Sequence, residues 1–311
     1  MFSVIIPNWN GMRLNLLSTC LKALRQQTFR DFETIVVDDC STDESARFVG
    51  QEYPEVRLIA LDKNRGFAPS VNEGIRAARG DVVVLLNNDT EADPGWLEEI
   101  ARAFDENPGA GMVVCKLRLF DQRDHIHSAG DFYRIDGIPG NRGVWEKDRG
   151  QYNDARGIFG GCGGAVAYRK TMLDEIGGLD EQLGSYCEDV DLNWRARLAG
   201  YAIAYAPRAV VYHRVSATGG GVLSSFFVGR NFIWVLAKNY PASLWKKYRR
   251  RILAAQWQIT KDALRHFRGA AARARLRGQI AGILGLRPWL KRRGEVTRRV
   301  SDEEIEAVLV Q

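Results

Sequence analysis

At 311 residues the chain is long enough for one large α/β domain with an appendage, or for two domains, and it can bury a full core. Hydrophobic residues at 45% and charged residues at 26% are ordinary for a soluble protein, and no run of about 18 uninterrupted apolar residues suggests a membrane span. The net charge of +6 conceals an asymmetry: from Lys246 to Arg299 there are 17 Lys and Arg against two acids, Asp262 and Glu295, so a basic tail follows an acidic body.

In chain order, residues 3–7 form a compact strand stopped by Pro7, and the start lacks the basic region and cleavage site of a signal peptide. A helical pattern through Leu14, Leu17, Leu21 and Leu24 follows. Residues 34–37 make a second buried strand, ending in Asp38 and Asp39. Ser41 or Thr42 can cap a helix over 43–52. A third strand covers 56–61, and residues 63–67 lead into a helix carrying Val71, Ile75 and Ala78. Residues 82–86 are a fourth apolar run, ending in Asn87, Asn88, Asp89 and Thr90. Strand and helix alternating at short intervals imply a parallel sheet with right-handed crossovers. In such sheets ligands lie beyond the carboxyl ends of the strands, where these polar groups stand. A carboxylate beside short amides suits an oxygen-ligated divalent cation, although the same residues would also serve as turn and N-cap chemistry before a helix near Pro94.

Neither Gly-x-Gly-x-x-Gly nor a P-loop is present, so recognition of a nucleotide must rest on side chains. Residues 111–115 add a strand. Residues 121–158 are a polar excursion of the kind that forms a lid or acceptor loop, and its His125 and His127 are not expected to bind metal. Gly160, Gly161, Gly163 and Gly164 allow close backbone approach to a ligand or a neighbouring element. Glu188 and Asp189 open a helix, with Asp191 and Arg195 as an ordinary i,i+4 pair. His213 ends an apolar strand. Cys20, Cys40, Cys115, Cys162 and Cys187 lack zinc or redox spacing and are expected to be reduced.

The segments at 4–10, 36–43, 64–74, 85–90 and 186–192 together resemble glycosyltransferase family 2, the inverting sugar-nucleotide transferases of GT-A fold, across roughly residues 2–215. The resemblance implies a mostly parallel, Rossmann-like sheet flanked by helices. Residues 1–221 would be the GT-A domain, with a nucleotide-sugar half (1–107) and an acceptor half (108–221). It implies that Pro7, Asn8 and Trp9 line a nucleotide pocket and that Asp39 accepts the N3–H of uracil or thymine. Asn64, Asn72 and Asn88 would lie near the donor. Asp89 would be the direct ligand of Mn²⁺ or Mg²⁺, with Asn87 standing where a first carboxylate often occurs. By the same resemblance Asp189 is the base and Glu188 orients the acceptor hydroxyl. His213 would assist Asp89 at the metal, Ser216, Thr218 and residues 219–221 would close over the diphosphate, and Arg214 and Arg230 would be cationic helpers. The processive Gln-x-x-Arg-Trp signature is absent. One sugar per encounter follows.

Residues 222–311 read as a basic helical extension. Aromatic and cationic residues at 244–253 and 289–293 suit an anionic membrane surface; a solvated face or a homodimer interface is the alternative, and no nucleic-acid motif is present. The expected function is metal-dependent, non-processive transfer from a dTDP- or UDP-sugar, dTDP-rhamnose being one donor suggested by residues 64–90, 230–231 and 238–241. The acceptor would be a lipid-linked or glycan hydroxyl in bacterial surface-polysaccharide assembly, at the cytoplasmic face of the plasma membrane. A non-catalytic sugar-nucleotide-binding or membrane scaffold protein of the same fold is the competing expectation.

Overall fold

The computed structural model describes residues 1–215 and 221–311. Of the expected closing segment, Ser216, Thr218 and residues 219–220 lie outside them, and Gly221 is described. The first half runs β1 (Phe2–Asn8), α1 (Leu16–Arg25), β2 (Phe32–Asp38), α2 (Ser45–Glu52), β3 (Arg57–Ala60), α3 (Phe67–Ala77), β4 (Val82–Leu86), β5 (Thr90–Ala92) and α4 (Trp96–Glu106). Next come β6 (Ala110–Leu119), β7 (Ile126–Ser128), β8 (Asp131–Tyr133), β9 (Pro139–Asn141), β10 (Ala165–Arg169), α5 (Lys170–Ile176), α6 (Glu188–Leu198) and β11 (Ala202–His213). Five further helices close the chain: α7 (Gly221–Asn239), α8 (Ala242–Arg265), α9 (Ala270–Leu284), α10 (Leu286–Lys291) and α11 (Asp302–Ala307).

One sheet has the order β3-β2-β1-β4-β10-β6-β11-β5, with β7 paired to β6. The four N-terminal strands are parallel, as their short βαβ spacing requires. β10 enters antiparallel between β4 and β6, β11 resumes parallel to β6, and β5 runs antiparallel beside β11. β1 and β4 are buried along their whole length because helices cover both faces. Strand alternation sorts the core. Val4, Ile6, Val36, Val84 and Leu86 pack with Leu17, Leu21, Val49, Trp96 and Ile100 on one face. On the other, Ile5, Ile35, Val37, Val83 and Leu85 pack with Val71, Met172 and Leu192.

The polar excursion is built, not loose. It supplies β7 and the β8–β9 hairpin, and its Asp148 is ion-paired with buried Lys116 at 3.1 Å. Nor do the C-terminal helices stand apart. Tyr240, Leu244, Ile305 and Leu309 share a buried cluster with Tyr133, Phe159 and Trp194, and the rings of Trp194 and Tyr240 meet at 5.6 Å. The expected division at residue 221 thus corresponds to no gap in the packing. α9 lies so close to α7 that a Cβ at Gly278 would stand 2.1 Å from the Phe226 carbonyl oxygen. Of the expected interfacial segments, Leu244, Ile252 and Trp289 are buried, and Trp289 stacks on Trp234 at 4.9 Å. Among the described residues no helix is long and apolar enough to cross a membrane.

Candidate active site

The carboxyl ends of β1, β2, β4 and β11 point to one edge of the sheet, and the start of antiparallel β10 joins them there. Pairing of β5 with β11 sets Thr90 opposite His213, and the amide of Arg214 donates to the Asp89 carbonyl at 2.9 Å. These backbone links bring Asp89 Oδ1 within 3.2 Å of His213 Nε2. Two ligand atoms at right angles, each about 2.1 Å from an octahedral ion, stand about 3 Å apart. The pair therefore fits one hard cation between them. Among the described residues no group of three or more His, Cys, Asp or Glu could hold a metal ion, so other oxygens would have to complete its shell. Behind His213, its Nδ1 lies 3.1 Å from Nδ1 of His127. Burial, then the neighbouring His213, holds the His127 imidazole down to about 3, so it is neutral and one ring donates to the other.

Across the cleft, α6 begins after two consecutive left-handed residues, Tyr186 (φ 65°) and Cys187 (φ 69°). Such a backbone costs roughly 1–2 kcal/mol per residue, and Asn231 of α7 offsets it by sharing its amide hydrogens among the carbonyls of Leu183, Ser185 and Tyr186. The result aims Glu188 and Asp189 into the cleft. Asp189 accepts the amides of Gly163 at 2.9 Å and Val190 at 2.8 Å. A side chain at Gly163 would crowd the Asp189 carboxylate at 3.4 Å, and one at Gly164 would meet the His213 ring at the same distance. Burial raises the Asp189 carboxyl above its ordinary value, partly offset by the amides. Glu188 is pushed up to about 8 by burial and then by Asp189, and its Oε2 is buried without a hydrogen-bond partner among the described residues. Asp131, bonded by Ser128 and Asn141, is raised well above the carboxylate range by burial and then by Asp189. Of the three, Glu188, with a value of about 8, keeps its proton at neutral pH beside the Asp189 carboxyl. Asp89, His213, His127, Asp131, Glu188 and Asp189 all line one cavity of about 570 Å³.

The expected nucleotide residues form a second group beside that cavity and do not line it. Asn8 donates to Asp38 and accepts from Asn88 at 2.8 Å, while the Asn8 carbonyl receives the Asp39 amide at 2.7 Å. Asp39 takes the amides of Arg65 at 2.7 Å and Gly66 at 2.8 Å, one on each oxygen, and Asn64 donates to its carbonyl. Trp9 is 50% exposed beside them, next to buried Pro7. Asn72 is elsewhere: its amide is bonded to Leu179 and Glu181, so it fastens α3 to the loop before α6 and is not turned toward a donor. Arg230 lies over Trp234 and donates to the Leu183 carbonyl. Arg214 lies over Phe120 at 4.0 Å.

A sequence model of glycosyl transferase family 2 matches residues 3–177. The chain belongs to that family, and it is a glycosyltransferase. An N-acetylglucosaminyl-diphospho-decaprenol L-rhamnosyltransferase of Mycobacterium tuberculosis is 25% identical over 74% of this chain and 82% of that protein. An uncharacterized protein of Sinorhizobium fredii is 30% identical over 70% of this chain, which spans only 25% of that relative's length. Among solved structures, GalNAc-T7 with UDP, GalNAc and Mn²⁺ matches 98% of this chain and 56% of that chain, with a TM-score of 0.69 at 14% identity. That likeness establishes the GT-A fold.

The transferase site contains two residues that sequence reasoning missed. His127 was expected to be idle, and Asp131 was not singled out. Strand alternation gives no signal, since it puts residues 125 and 127 on one face; what separates them is that His127 meets His213 while His125, just before β7, is bonded to Asp124. For Asp131 no sequence signal existed, because the β8–β9 hairpin that carries it was unrecognised. Asp191 was expected to form a plain helical pair with Arg195. The 2.7 Å contact exists but is buried and extended by Lys238 and Asn239.

Proposed function

We propose that this glycosyltransferase moves one sugar at a time, with inversion, from a dTDP- or UDP-sugar to a hydroxyl of a lipid-linked or glycan acceptor in bacterial surface-polysaccharide assembly. The single observation that carries the reading is the shared cavity: Asp89 with His213 on one wall and Glu188 with Asp189 on the other. Asp89 and His213 would hold Mn²⁺ or Mg²⁺. Such a cation supplies the positive charge that a departing diphosphate requires. Asp189, whose carboxylate is held by the amides of Gly163 and Val190, takes the proton of the acceptor hydroxyl. Glu188, neutral below about 8, donates a hydrogen bond from the oxygen that has no partner among the described residues and so orients that hydroxyl. Each Asp39 oxygen keeps a second lone pair beside its backbone amide, and a carboxylate accepts only, which favours the N3–H of uracil or thymine. Pro7, Asn8, Trp9, Asn64 and Asn88 surround that group.

A lipid-linked acceptor is favoured by the apolar wall that α7 gives the cavity through Leu223, Val228 and Phe232. The named M. tuberculosis relative acts on a decaprenol-linked substrate with rhamnose, so dTDP-rhamnose is the first donor to try. Peripheral attachment at the cytoplasmic membrane face fits such an acceptor. Binding and hydrolysis of UDP-, dTDP- and GDP-sugars, with and without Mn²⁺ or Mg²⁺, tests the reading. The expected result is a metal-stimulated preference for uracil or thymine nucleotides; tight binding of GDP-sugars alone would refute the role given to Asp39.

A further inference from the structure

The basic tail cannot offer Leu244, Ile252 or Trp289 to a membrane, because they are inside the protein. What it leaves outside is a face of the α8–α9 hairpin. On α8, Leu253, Trp257 and Leu264 recur at spacings of four and seven residues, which places them on one stripe. Trp257 is 58% exposed. On α9, Ile280, Ile283 and Leu284 form the matching stripe, and Leu284 is 81% exposed. Thr260 of α8 bonds Gln279 of α9 at 3.2 Å, which fixes the seam between the helices. Measured from that seam by helical rotation, both stripes turn to the same side of the hairpin.

Cations surround the apolar residues. Arg250 and Lys246 extend the α8 stripe by one turn and by two, and Arg277 precedes Ile280 on α9. Within 4 Å none of these three has an acidic partner among the described residues, whereas Lys247, off this stripe, is paired with Glu306 at 2.7 Å. Apolar side chains exposed in a ring of unpaired cations cost the isolated protein and suit a surface with anionic headgroups over hydrocarbon. A second copy suits it less. A two-fold interface sets a patch against itself, so the same cations would face one another without acids.

We propose that the outer face of the α8–α9 hairpin is a docking surface for anionic phospholipid, with Trp257, Leu253 and Leu284 entering the headgroup boundary and Lys246, Arg250 and Arg277 lying among the phosphates. The proposal rests on the membrane-linked acceptor read above for its purpose, but not for its test. The acidic remainder of the chain is repelled by the same surface, so attachment is also oriented.

Co-sedimentation of the full chain with phosphatidylcholine vesicles, with and without phosphatidylglycerol, decides it. Binding is expected only with the anionic lipid and should weaken as salt rises. The pair Arg250→Gln with Arg277→Gln should lower partitioning roughly 30-fold, from about 1 kcal/mol per cation. Leu253→Ser with Trp257→Ser should lower it at least as much. Both pairs are exposed and outside the catalytic cleft, so metal-dependent hydrolysis of the donor in solution should be unchanged, and that assay reports separately on the proposed chemistry. Equal vesicle binding by wild type and variants overturns the proposal. So does a dimer in solution that Leu253→Ser with Trp257→Ser dissociates, if vesicles leave the wild type unbound.

Discussion

Helix α6 carries two kinds of buried acid within its first turn. Glu188 and Asp189 face the cavity with no cationic side chain paired to them among the described residues, and both carboxyls are raised by burial, Glu188 also by Asp189. Two residues on, Asp191 is fully buried. Burial alone would raise it, but Arg195, then Lys238 and Asn239, hold it below its ordinary value. The same helix thus keeps one set of acids uncomfortable and makes the other part of the scaffold. Unpaired buried carboxyls are where proton transfer near neutral pH becomes feasible; paired ones fix the backbone that aims them. The largest expected effect separates the two. Asp189→Asn should lower kcat/KM by about 10²–10⁴, the contribution of a general base. It should leave UDP-sugar binding nearly unchanged and the melting temperature no lower. A loss under tenfold, or a large loss of stability, would make Asp189 a member of the scaffold instead.

The converse substitution comes next. Removing Asp191 strands Arg195 and Lys238, the latter also shared with Asp180, which Arg292 meets at 2.8 Å. Breaking one partner out of a buried network costs about 3–5 kcal/mol. Urea unfolding of Asp191→Ala should show a loss of that order. Adding Lys238→Met should return part of it, because the two sites share an interaction. Equal losses from Asp191→Ala and Asp189→Ala would erase the distinction.

The sheet was legible because its strands are buried on both faces and read as uninterrupted apolar runs, as at Val82–Leu86. The carboxyl-end residues followed, since strand direction alone decides which edge bears Asp38, Asp89 and His213. Less visible was everything set by contacts distant in sequence. Asn231 stands 45 residues from Tyr186, yet it holds the turn that aims Glu188. Asn72 has the look of a ligand residue but is consumed by Leu179. Lys238, in a strongly basic region, is a core residue at 4% exposure. A residue type specifies what bonds it can make; only the fold specifies whether they are already made.

Glu188→Gln tests the uncomfortable set by stability. Between the ordinary carboxyl value of 4.5 and the folded value of about 8, folded Glu188 retains a proton that the unfolded chain has released. Folding stability from this group is therefore lost as pH rises through that window. Glutamine carries no such proton. Glu188→Gln should be more stable than wild type, by on the order of 1–3 kcal/mol once pH exceeds the folded value, and the gain should shrink toward pH 5. Thermal melts across that range would measure it. A gain independent of pH would mean that shape, not charge, distinguishes Glu188.

The smallest effect extends the comparison to the opposite wall, where half-buried His127 stands beside the proposed cation ligand. A ligating imidazole keeps its free nitrogen's tautomer through a partner, and losing such a partner costs about 10–100-fold in metal affinity. With His213 Nε2 turned to a cation, its Nδ1–H donates to the bare Nδ1 of His127, 3.1 Å away. His127→Phe removes that acceptor while keeping a ring, and His127→Gln restores an oxygen that can accept. Titrations of Mn²⁺ in the presence of UDP should show the loss for phenylalanine and its partial return for glutamine. If both bind Mn²⁺ like wild type, His127 belongs with Asp191, to the scaffold, and the cleft has one working wall fewer than its geometry implies.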